Sequence, residues 1–174
     1  MLVTGTRAVM GSNQNESERA LLDQDPAGAE RKPQPAPQVS VLWYALRGRP
    51  WRTLALVAPG NASRAWRLAL EFRTAEADPR STVQVVNALN ATVGRVAAVA
   101  HALSAKKLES APGRHRFIVA VDSPLENPVA IGLLSACDAV VLLLERRRTR
   151  IPDAKRILEL VGPGRFIGAV LGPR

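Results

Sequence analysis

Runs of apolar residues alternate with amphipathic segments through most of the chain, a pattern that predicts alternating strands and helices. Continuous apolar runs, typical of strands buried on both faces, cover residues 53–59, 116–124, 138–145 and 166–171. Apolar residues at helical spacing predict helices over residues 62–77, 128–136 and 152–162. This order predicts an α/β fold, with a parallel sheet between two helical layers (αβα).

The stretch between residues 78 and 108 gives a less regular pattern. Val83, Val86 and Leu89 fit one face of a helix that ends near Asn90. Residues 93–100 fit either a short strand or the start of a helix that continues to residue 108.

The first 52 residues differ in composition from the rest of the chain. Residues 1–38 are polar, mixed in charge and rich in Pro and Gln, which predicts a disordered tail. Residues 39–52 form a connecting segment, in which an apolar stretch precedes the basic sequence RGRPWR. We favour packing of this segment on the domain of residues 53–174. The alternative is contact with a membrane surface, which Trp and Arg side chains suit.

Charge is distributed unevenly along the 174 residues. The net charge is +9, with six basic and five acidic residues among the first 50 and eighteen and ten in the remainder. A basic domain is suited to nucleic acid, an anionic membrane or an acidic partner. The single cysteine, Cys137, excludes an internal disulfide, and we expect it to be a buried thiol. The apolar runs are too short to span a bilayer, so we expect a cytoplasmic protein that at most touches the inner face of the plasma membrane.

The sequence LALVAPGNASRAW places a Pro-Gly turn between a predicted strand and a predicted helix. A phosphate-binding loop occupies such a turn in nucleotide-binding proteins, but the lysine of G-x-x-x-x-G-K-[ST] is absent here. An ordinary strand-to-helix turn is the favoured interpretation. The alternative is a weak phosphate site built from Gly60, Ser63 and Arg64, since helix N-termini attract anions.

A second candidate lies in VAVDSPLENP, where Asp122 ends an apolar strand. An aspartate at this point can hold magnesium or its water, as a Walker B aspartate does. Capping and turn formation are the commoner roles of such a residue. A third feature is the basic cluster Arg146, Arg147, Arg148 and Arg150, which fits either a solvated loop or a docking surface for an acidic partner or anionic lipid.

The order of motifs in the second half carries a resemblance to a known family. The motifs are Asp122-Ser123-Pro124, the strand start Cys137-Asp138-Ala139-Val140-Val141-Leu142, the loop residues Thr149-Arg150, and Gly168-Ala169-Val170-Leu171. Across residues 51–172 the chain resembles the polysaccharide-biosynthesis tyrosine autokinases, which are relatives of ParA/MinD-type P-loop ATPases. The resemblance implies a reduced P-loop NTPase-like fold.

The chain departs from that family where catalysis depends on particular residues. The Walker A lysine, the aspartates of the second strand and the C-terminal tyrosine cluster are missing, and the one tyrosine is Tyr44. The resemblance therefore implies a non-catalytic pseudokinase or pseudo-ATPase that regulates or scaffolds bacterial exopolysaccharide or capsule biosynthesis and export. A membrane-bound chain-length or polymerisation protein is the implied partner, and a homo-oligomer is left open.

Two alternatives to this interpretation stay open. In the first, Gly60, Ser63, Arg64 and Asp122 form a divergent site of an active ATPase or kinase, with ATP and magnesium as cofactors; the leading interpretation expects no cofactor. In the second, the domain is a basic ParA-like module that binds nucleic acid, an interpretation that the 4% aromatic content disfavours.

Overall fold

The computed structural model describes residues 36–109 and 115–172, in which helices and strands alternate. The elements are α1 (Pro37–Arg47), β1 (Thr53–Val57), α2 (Ala62–Ala75), β2 (Thr82–Ala88), α3 (Val93–Glu109), β3 (His115–Val121), α4 (Ala130–Ala136), β4 (Ala139–Glu145), α5 (Ile151–Val161) and β5 (Phe166–Gly172), with a 3₁₀ turn at Pro163–Arg165. The predicted tail lies outside the described residues up to residue 35, and its last two residues belong to α1. None of the described helices combines the length and the apolar character that crossing a bilayer requires.

The five strands form one parallel sheet in the order β2-β3-β1-β4-β5. Right-handed crossovers between parallel strands place α2 on one face and α3, α4 and α5 on the other. The buried side chains divide in the same way into two clusters, one on each face of the sheet. The predicted α/β fold, a parallel sheet between two helical layers, is confirmed.

Alternation along the strands supplies both cores. In β1, Leu54 and Leu56 belong to the core beneath α2, whereas Ala55 and Val57 belong to the core beneath the other helices. All five residues of β1 are buried, as a central strand of a doubly covered sheet requires. The continuous apolar runs of the sequence therefore correspond to strands with two buried faces.

The start of β1 is tied to the start of β4 by one carboxylate. Asp138 Oδ2 accepts hydrogen bonds from the Arg52 amide at 3.0 Å, the Thr53 amide at 2.9 Å and the Thr53 hydroxyl at 3.0 Å. The Asp138 amide in turn donates to Thr53 Oγ1 at 2.8 Å. Thr53 is the one polar residue of β1, and these bonds satisfy it where it is buried. The Cys-Asp-Ala sequence thus fixes a strand pair, and Cys137 is buried beside it as expected.

The predicted helix around Val83 and Leu89 is wrong, because this stretch forms strand β2. Among the strands that the structure describes, β2 pairs only with β3, in register from Thr82 opposite His115 to Ala88 opposite Val121. As an edge strand it is partly solvated, so its apolar residues do not form the continuous run seen in the central strands. Four β-branched residues favour the extended conformation that pairing with β3 completes. Residues 93–108, for which the sequence left a strand or a helix open, form the helix α3.

The connecting segment packs on the domain as helix α1, in agreement with the favoured interpretation. Trp43 is fully buried and lies 5.4 Å from Phe72 of α2 and 5.9 Å from Trp51, measured between ring centroids. The Trp51 indole N–H donates to the Leu46 carbonyl at 2.7 Å. Because Trp51 is buried against the protein, it is not available to the membrane surface considered above.

A charged network holds α1 at the amino edge of the sheet. The Arg116 guanidinium lies 4.5 Å above the Trp51 ring and donates to the Arg47 carbonyl at 3.0 Å. The side chain of Arg47 pairs with Glu76 at 3.0 Å and with Asp78 at 3.4 Å. Burial and the neighbouring Arg47 lower the pKa of Arg116, and Glu76 partly offsets this. The network joins α1 to the end of α2 and the start of β3.

Matched substitutions of the two tryptophans test how α1 is held. Trp51→Phe removes a hydrogen bond and replaces the indole beneath Arg116 by a smaller phenyl ring, whereas Trp43→Phe removes an indole N–H that has no acceptor among the described residues. We expect Trp51→Phe to lower the free energy of unfolding by about 1 kcal/mol more than Trp43→Phe. Urea denaturation of both variants measures the difference. Equal losses would contradict the proposed role of the Trp51 contacts.

Candidate functional site

The predicted site residues all lie at the carboxyl edge of the sheet, near the turn that follows β1. Val57 is paired with Val121 of β3 and Leu142 of β4, so the loops after these strands flank the β1–α2 turn on either side. This is the edge at which open α/β sheets bind ligands. The predicted residues Gly60, Ser63 and Arg64 stand on the turn and α2, and Asp122 directly follows β3.

Gly60 provides the sharp turn and its amide already has an anionic partner. Its φ of 71° lies in the left-handed region that favours glycine. The Gly60 N–H donates to Glu126 Oε1 at 2.9 Å, so a carboxylate from the loop after β3 occupies this amide. A phosphate group approaching the same amide would have to displace that carboxylate. Ser63 Oγ is directed elsewhere and donates to Asn61 Oδ1 at 2.9 Å.

Asp122 links the loops after β2 and β3. It is buried, and its Oδ2 accepts the Asn90 amide at 2.7 Å and the Asn127 side-chain amide at 3.0 Å. Asn127 Nδ2 also reaches the Ala91 carbonyl at 3.2 Å. Asn90 has a φ of 53°, a turn conformation that asparagine tolerates better than most residues. The contacts of Asp122 are therefore those of a residue that fixes two adjacent turns.

Arg64 points toward the ends of β4 and β5. Its Nη1 lies 3.1 Å from Oε1 of Glu145, the last residue of β4, and the same oxygen accepts Asn61 Nδ2 at 2.6 Å. A Cβ added to Gly172 would overlap the Arg64 guanidinium, so the absence of a side chain at the end of β5 leaves room for this arginine. The side chain of Asn61, which directly precedes α2, is therefore hydrogen-bonded to both Glu145 and Ser63.

Among the described carboxylates of this edge, Glu145 contacts the most side-chain donors, which are Asn61, Arg64 and Arg148. Burial of its carboxyl raises the pKa, but hydrogen bonds from Asn61 and Arg64 and the charges of Arg64 and Arg148 outweigh that effect. The pKa of Glu145 is therefore lowered. Its backbone N–H donates to Thr149 Oγ1 at 2.9 Å, which closes the turn after β4. Glu145 holds the β1–α2 turn and the β4–α5 turn together.

The residues as placed do not fit a magnesium–ATP site. Gly60 and Arg64 each face a carboxylate of this chain, and Oδ2 of Asp122 accepts two hydrogen bonds. The turn contains no lysine. Among residues 36–109 and 115–172 no group of three or more His, Cys, Asp or Glu side chains is arranged to hold a metal ion.

Three residues of this edge were not predicted from the sequence: Glu126, Asn127 and Glu145. Glu145 carried a signal, because it is the first acidic residue after the apolar run of β4 and so had to lie at the carboxyl edge. Glu126 and Asn127 carried no such signal, because the partners of a loop residue depend on the folded conformation of the loop, which the sequence pattern does not give. Comparison with protein-family models, curated proteins and solved structures finds no match for this chain.

The lowered pKa of Glu145 predicts a pH-dependent contribution to stability. The contribution is complete above the pKa of glutamate in the unfolded chain, about 4.3, and is lost as the pH falls through the lower pKa of the folded state. We expect Glu145→Gln to lower the free energy of unfolding by about 1.5 kcal/mol at pH 7, with a smaller difference from the parent below pH 4.

Denaturant unfolding between pH 3 and pH 7 measures this difference. Glu159→Gln removes a carboxylate from an exposed ion pair with Arg156 and controls for the loss of one charge. A difference between Glu145→Gln and the parent that stays constant with pH would contradict the assigned pKa direction.

Proposed function

We propose that the protein is a non-catalytic regulator or scaffold, whose parallel sheet presents surfaces for partners. The observation that carries the proposal is the state of the carboxyl edge, where the Gly60 amide, Arg64 and Asp122 are each engaged within the chain. Phosphoryl transfer depends on positioning and on neutralising phosphate charge with a lysine and magnesium. Here Glu126 and Glu145 supply negative charge where a nucleotide phosphate would need positive charge.

The cost of opening this edge supports the same proposal. Binding a phosphate at the turn would break the Gly60–Glu126 hydrogen bond and bring two negative groups together. Recruiting Arg64 would take from Glu145, whose side chain is only 11% exposed, the nearer of its two arginine partners, and breaking an ion pair that is largely removed from water is unfavourable. The edge is therefore better suited to holding its own loops than to exchanging a ligand.

The process that the protein serves is proposed from the resemblance to the polysaccharide-biosynthesis tyrosine autokinases. By that resemblance it regulates or scaffolds exopolysaccharide or capsule biosynthesis and export, and its partner is a membrane-bound chain-length or polymerisation protein. Two of the motifs that carry the resemblance, Asp122-Ser123-Pro124 and the Cys137-Asp138-Ala139 sequence, follow β3 and begin β4 respectively.

Calorimetric titration of the full chain with ATP and ADP, with and without magnesium, tests the non-catalytic proposal. We expect no binding up to millimolar nucleotide, because the groups that would receive phosphates are already paired. Glu126→Gln, which removes the carboxylate from Gly60, should bind no better, since the turn still lacks a lysine. Micromolar binding that Arg64→Ala and Asp122→Ala abolish, accompanied by magnesium-dependent ATP turnover, would replace the proposal with a divergent ATPase.

Genetic and affinity experiments test the proposed process separately. Copurification of the tagged protein with membrane proteins of polysaccharide assembly, and altered polymer length or yield on deletion, are the expected results. Arg73→Lys, at an exposed position of α2, serves as a control for expression and handling. A clean pull-down together with unchanged polymer would contradict the assignment to polysaccharide export.

A further inference from the structure

Exposed aliphatic side chains gather at the carboxyl edge of the sheet. Six large apolar residues are exposed in residues 36–109 and 115–172, and four of them lie at this edge: Val93 (69%), Leu125 (40%), Ile151 (73%) and Leu171 (66%). Val93 begins the helix after β2, Leu125 follows β3, Ile151 begins the helix after β4, and Leu171 is near the end of β5. Since parallel strands end at one edge, four loops or strand ends contribute to a single rim.

Arginines accompany this rim. Arg146, Arg147, Arg148 and Arg150 form the exposed turn between β4 and α5, where Arg147 has a left-handed φ of 67°. Arg148 lies 3.4 Å from Glu145, while the other three side chains have no hydrogen-bond or ion-pair partner in the described part of the chain. The carboxylates of this edge are Asp122, Glu126, Glu145 and Asp153, the last in the first turn of α5. The arginines are the four of the β4–α5 turn together with Arg64 and Arg95. Among these described residues six positive charges stand against four negative ones, so the net charge of the edge is positive.

We propose that the carboxyl edge docks on an anionic lipid surface, with the β4–α5 arginines at lipid phosphates and the aliphatic rim in the headgroup region. Guanidinium groups beside exposed aliphatic side chains match a surface that is charged outside and apolar beneath. The exposed large apolar side chains of this edge, among the described residues, are aliphatic. Stacking on nucleic-acid bases uses aromatic rings instead. The inference adds a lipid surface to the protein partner proposed above and does not depend on that partner.

Vesicle flotation of the full chain tests the proposal directly. The parent should float with vesicles of phosphatidylcholine and phosphatidylglycerol at low salt and not with phosphatidylcholine alone. Arg146→Gln combined with Arg150→Gln should lower partitioning about 30-fold, because each basic group near an anionic surface contributes a factor of about five to six. Arg73→Gln combined with Arg80→Gln makes the same charge change on exposed residues of α2 and the turn after it, and should lower partitioning by less than about threefold, since these residues lie away from the lipid surface.

A second pair of variants separates insertion from charge alone. Ile151→Ser combined with Leu125→Ser should lower partitioning about tenfold by removing apolar contact with the bilayer. Val41→Ser, which changes an exposed residue of α1, should have no such effect. Circular dichroism and the urea midpoint confirm that each variant is folded, as expected for exposed positions.

Four results would overturn the proposal. The first is absence of binding to anionic vesicles, and the second is an equal loss from the two arginine pairs, which would indicate a diffuse charge effect. The third is binding to polyglutamate or to DNA that requires Arg146 and Arg150 while vesicles stay unbound, which would assign the edge to an acidic protein or to nucleic acid. The fourth is unchanged partitioning of the Ile151 and Leu125 variant, because the proposed interface includes the apolar rim.

Discussion

The complete burial of β1 between β3 and β4 is the constraint on which the rest of the structure depends. A strand with two paired edges and two covered faces has only its ends open to other contacts. The turn that follows β1 therefore lies between the loops after β3 and β4 and makes hydrogen bonds with their side chains. At its start, Asp138 satisfies the buried Thr53. At its end, carboxylates arrive from both sides, Glu126 at the Gly60 amide and Glu145 at Asn61 and Arg64.

These carboxylates give the carboxyl edge its character. In a nucleotide-binding protein the corresponding turn offers free amides and a lysine to an external phosphate. Here the negative groups belong to the chain itself, and they join the turn after β1 to the loops after β3 and β4. Arg146, Arg147 and Arg150 take no part in these bonds and remain exposed, so the edge keeps an excess of positive charge.

The opposite edge shows a different solution to a buried charge. Arg116 is stacked on Trp51 and hydrogen-bonded to the end of α1, yet its Nε and Nη1 are buried with no hydrogen-bond partner in the described part of the chain. Removing donors from water without acceptors costs free energy, so packing of α1 against α2 has to offset that cost. Trp43 and Phe72, both fully buried, supply the apolar contact that does so.

The sequence by itself determined the strands β1, β3, β4 and β5 and the helices α2, α4 and α5, because continuous apolar runs and helical spacing are local properties of the chain. Only the tertiary structure decided that residues 82–88 are a strand, since hydrogen bonds to β3 stabilise the extended conformation of this edge strand. It also decided the roles of Arg64, Asp122 and Glu126. A side chain at a loop or helix start has several partners within reach, and the parallel register of β1, β3 and β4 selects one of them.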